Sequence, residues 1–175
     1  MSRIERGEAR TAVSVGEAGC GAGAVYSAAG CPVGSPSLSV GGAAAAMDFY
    51  CDVFGFSRRG DVMTAPDGRI GHAELVLGSS LLMLADEWPE AHSLSPATIG
   101  GSPVMLSIYV ADVDAVYAAA LAAGATGVRE PEDEFYGDRM GAIVDPWGHR
   151  WSIACHIEDV DPEEMARRAA AAMGG

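Results

Sequence analysis

The sequence predicts an α+β protein: two tandem βαβββ modules whose curved mixed sheets form a cavity, with a helix added at the C-terminus. Three observations carry this reading. The order strand, helix, three strands is written twice. The two copies align at an offset of about seventy residues, with Val40 on Val110, Gly42 on Asp112, "RIG" from Arg69 on "RMG" from Arg139, and Gly78 on Gly148. Finally, each half is strand-rich with a single helix, so each gives a sheet covered on one side, and the two concave faces can enclose a cavity.

Residues 1 to 34 are rich in Gly, Ala and Ser, lack periodicity and read as a flexible extension. "SAAGC" ending at Cys31 loosely resembles a lipidation site. The stretch before it is weakly apolar and interrupted by Glu17, so an ordinary tail, or an upstream start codon carried into translation, is the expectation. The first module spans about 35–87. A short strand at "PSLSV" runs into the helix "AAAAMDFYCDVFGF", which stops at Gly55. Strands follow at 58–65, 69–77 and 80–85, the first two joined by Pro66-Asp67-Gly68, in which proline presets φ and glycine accepts φ > 0. A Pro/Ser/Gly-rich connector covers roughly 88–102. The second module, about 103–157, opens with "VMLSIYV" and a helix at "DVDAVYAAALAAG", N-capped by Asp112 and ended by Gly124, one residue out of step with Gly55. Its strands fall at 127–130, 139–145 and 149–156. The segment 158–175 holds an amphipathic helix with Asp161 as N-cap, Pro162 in the first turn, acids early and Arg167 and Arg168 late.

Composition narrows the function classes. Eleven basic residues, all Arg, stand against 24 acidic ones, for a formal net charge of −13. The three Arg and three Glu before residue 36 cancel, so the whole surplus lies beyond it. A surface this acidic repels nucleic acid and anionic membranes and favours cationic ligands or simple solubility. The absence of Lys removes Schiff-base chemistry and the lysine of a phosphate-binding loop. No apolar run is long enough for a transmembrane helix. Cys20, Cys31, Cys51 and Cys155 show no CxxC spacing, which suits a reducing cytoplasm better than a disulfide framework or zinc site.

At the level of motifs, "AAAAMDFYCDVFGF", "DGRIGHAELVLG", "LLMLADE", "YVADVDAVYAAALAAGA" and "FYGDRMGAIVDPWGHRWSIACHIEDVDPEE" resemble the vicinal oxygen chelate (glyoxalase/bleomycin-resistance/extradiol dioxygenase) superfamily, in its glyoxalase/bleomycin-resistance-like subgroup. The resemblance covers about 36–165 and is specific for fold, poorly so for reaction. It implies a homodimer. It also implies four ligands on a divalent metal, from the first and last strand of each module. The matching positions hold Ser35 and Met105 in one register or Ser37 and Ser107 in the other, with Ser152 and either Leu82 or Met83 on the last strands. None is a carboxylate or imidazole, and hydroxyls and thioethers do not hold Zn²⁺, Ni²⁺ or Fe²⁺ unaided. No cofactor is therefore expected. A non-standard metal site from His72, Glu74, Asp86 and His156 is the alternative.

The loop "PEDEFYGDR" gathers carboxylates around Phe135, Tyr136 and Arg139. It reads either as a solvated acidic loop or as the lip of a ligand site, where aromatic rings stack on a planar or cationic guest. Ser37, Ser107, Tyr109, Tyr136, Arg139, Trp147, Ser152 and His156 are the ligand-binding candidates. His156, Tyr136 and His72 are the candidate acids or bases. The expected function is binding of a cationic or aromatic small molecule by a protein lacking the usual metal ligands, rather than catalysis. The alternative is a glyoxalase- or lyase-isomerase-like enzyme using a non-standard metal site or metal-free acid–base chemistry.

Overall fold

The computed structural model describes residues 34–173, so Cys20, Cys31 and nearly all of the expected extension lie outside the described residues. The first module comprises β1 (Ser37–Val40), α1 (Ala43–Phe54), β2 (Ser57–Thr64), β3 (Ile70–Leu77) and β4 (Ser80–Asp86). After a connector come β5 (Met105–Tyr109), α3 (Val113–Ala122), β6 (Thr126–Asp133), β7 (Asp138–Val144), β8 (Arg150–His156) and α4 (Pro162–Met173). The connector carries a 3₁₀ turn at Pro89–Ala91 and the short α2 (Pro96–Ile99), N-capped by Ser95. Neither was expected there. The proline, which suits a helix's first turn, supplied the local signal.

The duplication is complete in topology. Each module forms a four-stranded mixed sheet, ordered β1-β4-β3-β2 in one and β5-β8-β7-β6 in the other, with the first strand parallel to the last. The two helix starts differ instructively. Asp112 caps α3 by accepting Ala115 N at 3.0 Å. At the matching position Gly42 has no side chain, and Asp86 reaches across from β4 to accept Gly42 N at 2.9 Å and Ala43 N at 2.7 Å. The orphan donors of a helix N-terminus are thus met twice, by different routes.

One face of each sheet packs on the helices. Leu38, Val40, Ala73, Leu75, Leu82 and Leu84 form the buried side of the first; Ile108, Ile143, Trp151 and Ile153 that of the second. The core is continuous between modules because aromatic residues of α1 pack on the second module's last turn and strand: ring centroids of Phe54 and Trp151 lie 4.8 Å apart, and those of Phe49 and Trp147 5.6 Å. β6 runs further than expected, to Asp133, so Glu132 and Asp133 of the acidic segment are strand residues as well as Glu130. Two register shifts against β7 and its place at the sheet edge accommodate Pro131, whose missing N–H costs no inner ladder bond. Among the described residues, no helix is long and apolar enough to cross a membrane.

Candidate functional site

A cleft of about 640 Å³ opens at the seam between the modules. Its walls are Pro36, Phe56 and residues 77–82 from the first module and residues 106–109 with Trp151 from the second. Among the described residues that line it, no side chain is ionised at neutral pH; polarity comes from Ser79, Ser80, Ser107 and Tyr109.

Period-2 alternation decides what surrounds it. On the open face of the second sheet, opposite the helix, the register sets Ser107 beside Ser152 and Ala142, and Tyr109 beside Ala154 and Met140. One step on, Asp138 lies beside His156. These residues are joined by hydrogen bonds. Tyr109 Oη donates to Asp138 Oδ2 at 2.7 Å, His156 Nδ1 lies 2.9 Å from Asp138 Oδ1, and His156 Nε2 lies 2.9 Å from Asp159 Oδ1. Asp138 is buried, with 7% of its surface exposed.

The donations of His156 and Tyr109 hold the Asp138 carboxyl below its usual range. Its hydrogen bond in turn raises Tyr109, and the bonds to Asp138 and then Asp159 raise His156. Burial, then the charges of Glu134 and Asp138, raise Tyr136. The signs set a pH window. The stabilising share of His156 is fully present below its unfolded value of about 6.5 and is lost as pH rises through its higher folded value. That of Asp138 is lost as pH falls through its depressed folded value. An NMR titration of the His156 ring should show a midpoint above about 6.5, moving down in Asp138→Asn; a midpoint at or below it would contradict the pairing.

Other carboxylates outside the cleft are also paired. Glu134 lies 2.6 Å from Arg129 Nη1. On the open face of the first sheet Glu74 lies 3.5 Å from Arg59 Nε and 3.3 Å from His72 Nε2.

Several candidates lie elsewhere. Arg139 alternates onto the helix face, where Nε and Nη2 each meet Asp114 at 2.7 Å and Nη1 meets Asp133 at 2.8 Å. Trp147 is packed against Phe49 and Tyr50, its Nε1 donating to Gly41 O at 3.1 Å. Asp86 is engaged as the cap of α1 and accepts Ile70 N at 2.7 Å besides, so it does not join His72 and Glu74, and His156 belongs to the other sheet. Ser37 pairs in register with Met83, as Ser107 does with Ser152, so the first and last strands of each module do meet at these positions. Their donors are three hydroxyls and a thioether, which do not fit a divalent metal centre. Leu82, the other option, is buried on the helix side. Among the described residues no three His, Cys, Asp or Glu side chains are disposed to share a metal ion.

Sequence reasoning missed Asp145, the acid of the "DPWGH" turn. It is 4% exposed and accepts four hydrogen bonds: Trp147 N at 3.0 Å and His149 N at 2.9 Å on Oδ1, Tyr50 Oη at 2.6 Å and Trp151 Nε1 at 2.8 Å on Oδ2. Burial, and then the Asp145 charge, push the Tyr50 phenol up. The motif signalled a turn but not a partner in the other module.

Residues 33–153 match the Glyoxalase/Bleomycin resistance protein/Dioxygenase superfamily. A stretch of 137 residues is 41% identical to the uncharacterized protein Rv0887c of Mycobacterium tuberculosis, covering 77% of this chain and 80% of that one. The uncharacterized protein Mb0911c of Mycobacterium bovis is equally similar, with 90% of its length covered. Among solved structures, TioX from Micromonospora sp. ML1 superposes with a TM-score of 0.54 at 28% identity, over 70% of this chain and 98% of that one. A glyoxalase/bleomycin resistance protein/dioxygenase family enzyme from Burkholderia phytofirmans shares the fold at 22% identity, with a TM-score of 0.53 over 70% of this chain and 98% of its own.

Proposed function

This chain belongs to the Glyoxalase/Bleomycin resistance protein/Dioxygenase superfamily, and on that premise we propose that it binds a small, flat, largely apolar molecule in the seam cleft, without the metal centre of its metal-dependent relatives. The observation that carries this reading is the wall chemistry. Tyr109 offers an exposed aromatic ring, with Phe56 and Trp151 buried behind the apolar wall, hydroxyls offer the polar contacts, and no ionised side chain lines the cleft. Of the cationic and aromatic guests suggested by composition, the aromatic one fits better. Asp138, Glu134 and Glu74 already have cationic partners or a protonatable histidine, so the acidic surplus acts as a solubilising field outside the cleft. The exposed apolar side chains Met63, Val128 and Met105, each on an edge strand, favour burial against a second copy, hence a homodimer. The free thiols Cys51 and Cys155 accord with a cytoplasmic location.

Calorimetry on chelator-stripped protein tests the reading. A neutral aromatic such as indole should bind with a Kd around 0.5 mM, from about −0.5 kcal/mol for each of its nine heavy atoms. Zn²⁺, Ni²⁺, Mn²⁺ and Fe²⁺ should show no stoichiometric binding. Tight binding of any of these ions would overturn the metal-free reading, and no uptake of indole would remove the cleft from consideration.

A second reading, acid–base catalysis, has the Tyr109–Asp138–His156 chain in its favour. With a carboxylate at each ring nitrogen, which raises its pKa, His156 is suited to donate a proton rather than to accept one. A turnover that survives His156→Gln unchanged would exclude it.

A further inference from the structure

The hydrogen-bond directions around Asp138 constrain what the cleft accepts, given that the cleft is the ligand site as proposed above. A carboxylate accepts and does not donate. Asp138 is buried and holds two neighbours at hydrogen-bond distance, Tyr109 Oη at 2.7 Å and His156 Nδ1 at 2.9 Å. The single phenolic proton of Tyr109 is therefore engaged with Oδ2. The imidazole is held from its far side as well, by Asp159 at 2.9 Å, so both of its nitrogens are engaged with carboxylates.

Two consequences follow for Tyr109, which lines the cleft and is 64% exposed. Its oxygen has only lone pairs left to offer, and the direction of its O–H bond is set by Asp138 rather than by the guest. A phenol free to rotate would meet a donor or an acceptor equally well; this one meets only a donor. The serine hydroxyls of the cleft, Ser79, Ser80 and Ser107, carry no such constraint in the contacts seen and can adapt to either.

We propose that Tyr109 is a specificity-determining residue that selects guests presenting an N–H or O–H donor, and that Asp138 is the positioning residue that makes its phenol an acceptor. The ligand class is then a neutral, mainly aromatic molecule bearing an indole-type N–H or a hydroxyl. Ethers, N-alkylated heterocycles and bare hydrocarbons of the same outline are disfavoured.

Indole and 1-methylindole differ by replacement of the donor hydrogen with a methyl group. Their dissociation constants would be measured by NMR titration on wild type, Tyr109→Phe and Asp138→Asn. The ratio of the two constants is compared between proteins, so the effect of the extra methyl on hydrophobicity cancels. From the usual net value of one neutral hydrogen bond, the ratio should fall by about fivefold from wild type to Tyr109→Phe, and by less in Asp138→Asn, where the phenol keeps its lone pairs but is no longer held in one orientation. Tyr109 is exposed enough for the phenylalanine variant to keep the fold, which circular dichroism verifies. An unchanged ratio in Tyr109→Phe, with both compounds still bound, overturns the donor-selection proposal and leaves the cleft reading standing. Failure of both compounds to bind wild type overturns the cleft reading and the proposal with it.

Discussion

Replacing Asp145 with alanine should lower the unfolding free energy by about 4 kcal/mol, the result of leaving several buried donors unmet at once. The four groups that donate to this carboxylate come from three places: the turn itself, β8 through Trp151, and α1 through Tyr50, which is 95 residues away in sequence. Water cannot easily replace the lost acceptor, because Tyr50 and Trp151 are among the most buried side chains. The expected loss corresponds to a fall in Tm of roughly 10–15 °C for a domain of this size, read by urea or thermal unfolding. Asn should fall between the two. Its Oδ1 can still accept the backbone donors of the turn, but Nδ2 would then face Tyr50 Oη, which can rotate, and Trp151 Nε1–H, which cannot. Tyr50→Phe removes one donor and leaves Asp145 the other three, so it should cost only about 1–2 kcal/mol. If the alanine variant unfolds within about 1 kcal/mol of wild type, the turn does not clasp the modules as described.

That clasp also shows where sequence reading succeeds and where it stops. The repeat was legible because each module needs the same local devices: glycine in positive φ after the first helix, a capped second helix, and alternation along the strands. Gly55 and Gly124 have φ of 79° and 97°, as helix stops require, and Asp112 caps its own helix. Alternation says which residues share a face but not which face they share. His72 with Glu74, and Ser152 with His156, could be grouped in advance, whereas Arg139 could not be assigned to the helix side without knowing that Asp114 awaits it there. Asp86 illustrates the harder case. Its sequence neighbours carry no sign that Gly42, 44 residues earlier, lacks a cap, and only the parallel pairing of β1 with β4 brings them together. The same holds for the site. Tyr109, His156 and the acidic segment were visible as chemistry, but the Tyr109–Asp138–His156 order arises from sheet register.

The second large effect is expected at Gly137, which closes the β6–β7 hairpin with φ of 94°. A Cβ there would lie 2.1 Å from the carbonyl oxygen of Glu158 and 3.0 Å from Val160 Cγ2. The first contact is with backbone, so no rotamer change relieves it. Gly137 O also accepts Ile157 N at 2.9 Å and Glu158 N at 3.0 Å, the bonds that fold the chain back over the hairpin before α4. Alanine must push this segment away, breaking both bonds and drawing Asp159 from His156, at a cost of about 2–4 kcal/mol once the left-handed strain is included. α4 depends on that segment. Its described side chains are all partly or fully exposed, and Arg168 is anchored to Glu158 by two bonds at 2.8 and 2.9 Å. A twelve-residue helix so released is marginal in water. Trypsin should therefore cut after Arg167 and Arg168 about thirty- to several-hundredfold faster in Gly137→Ala than in wild type, since cleavage follows the population of the open form. Gly68→Ala supplies the control: its φ of 89° is equally left-handed, but an added Cβ there meets nothing within 4 Å. Backbone strain alone should then cost about 1 kcal/mol and leave cleavage in α4 unchanged. Equal acceleration in both variants would mean that general destabilisation, not the Gly137 clasp, governs α4; no acceleration in Gly137→Ala would mean that α4 is held by other contacts.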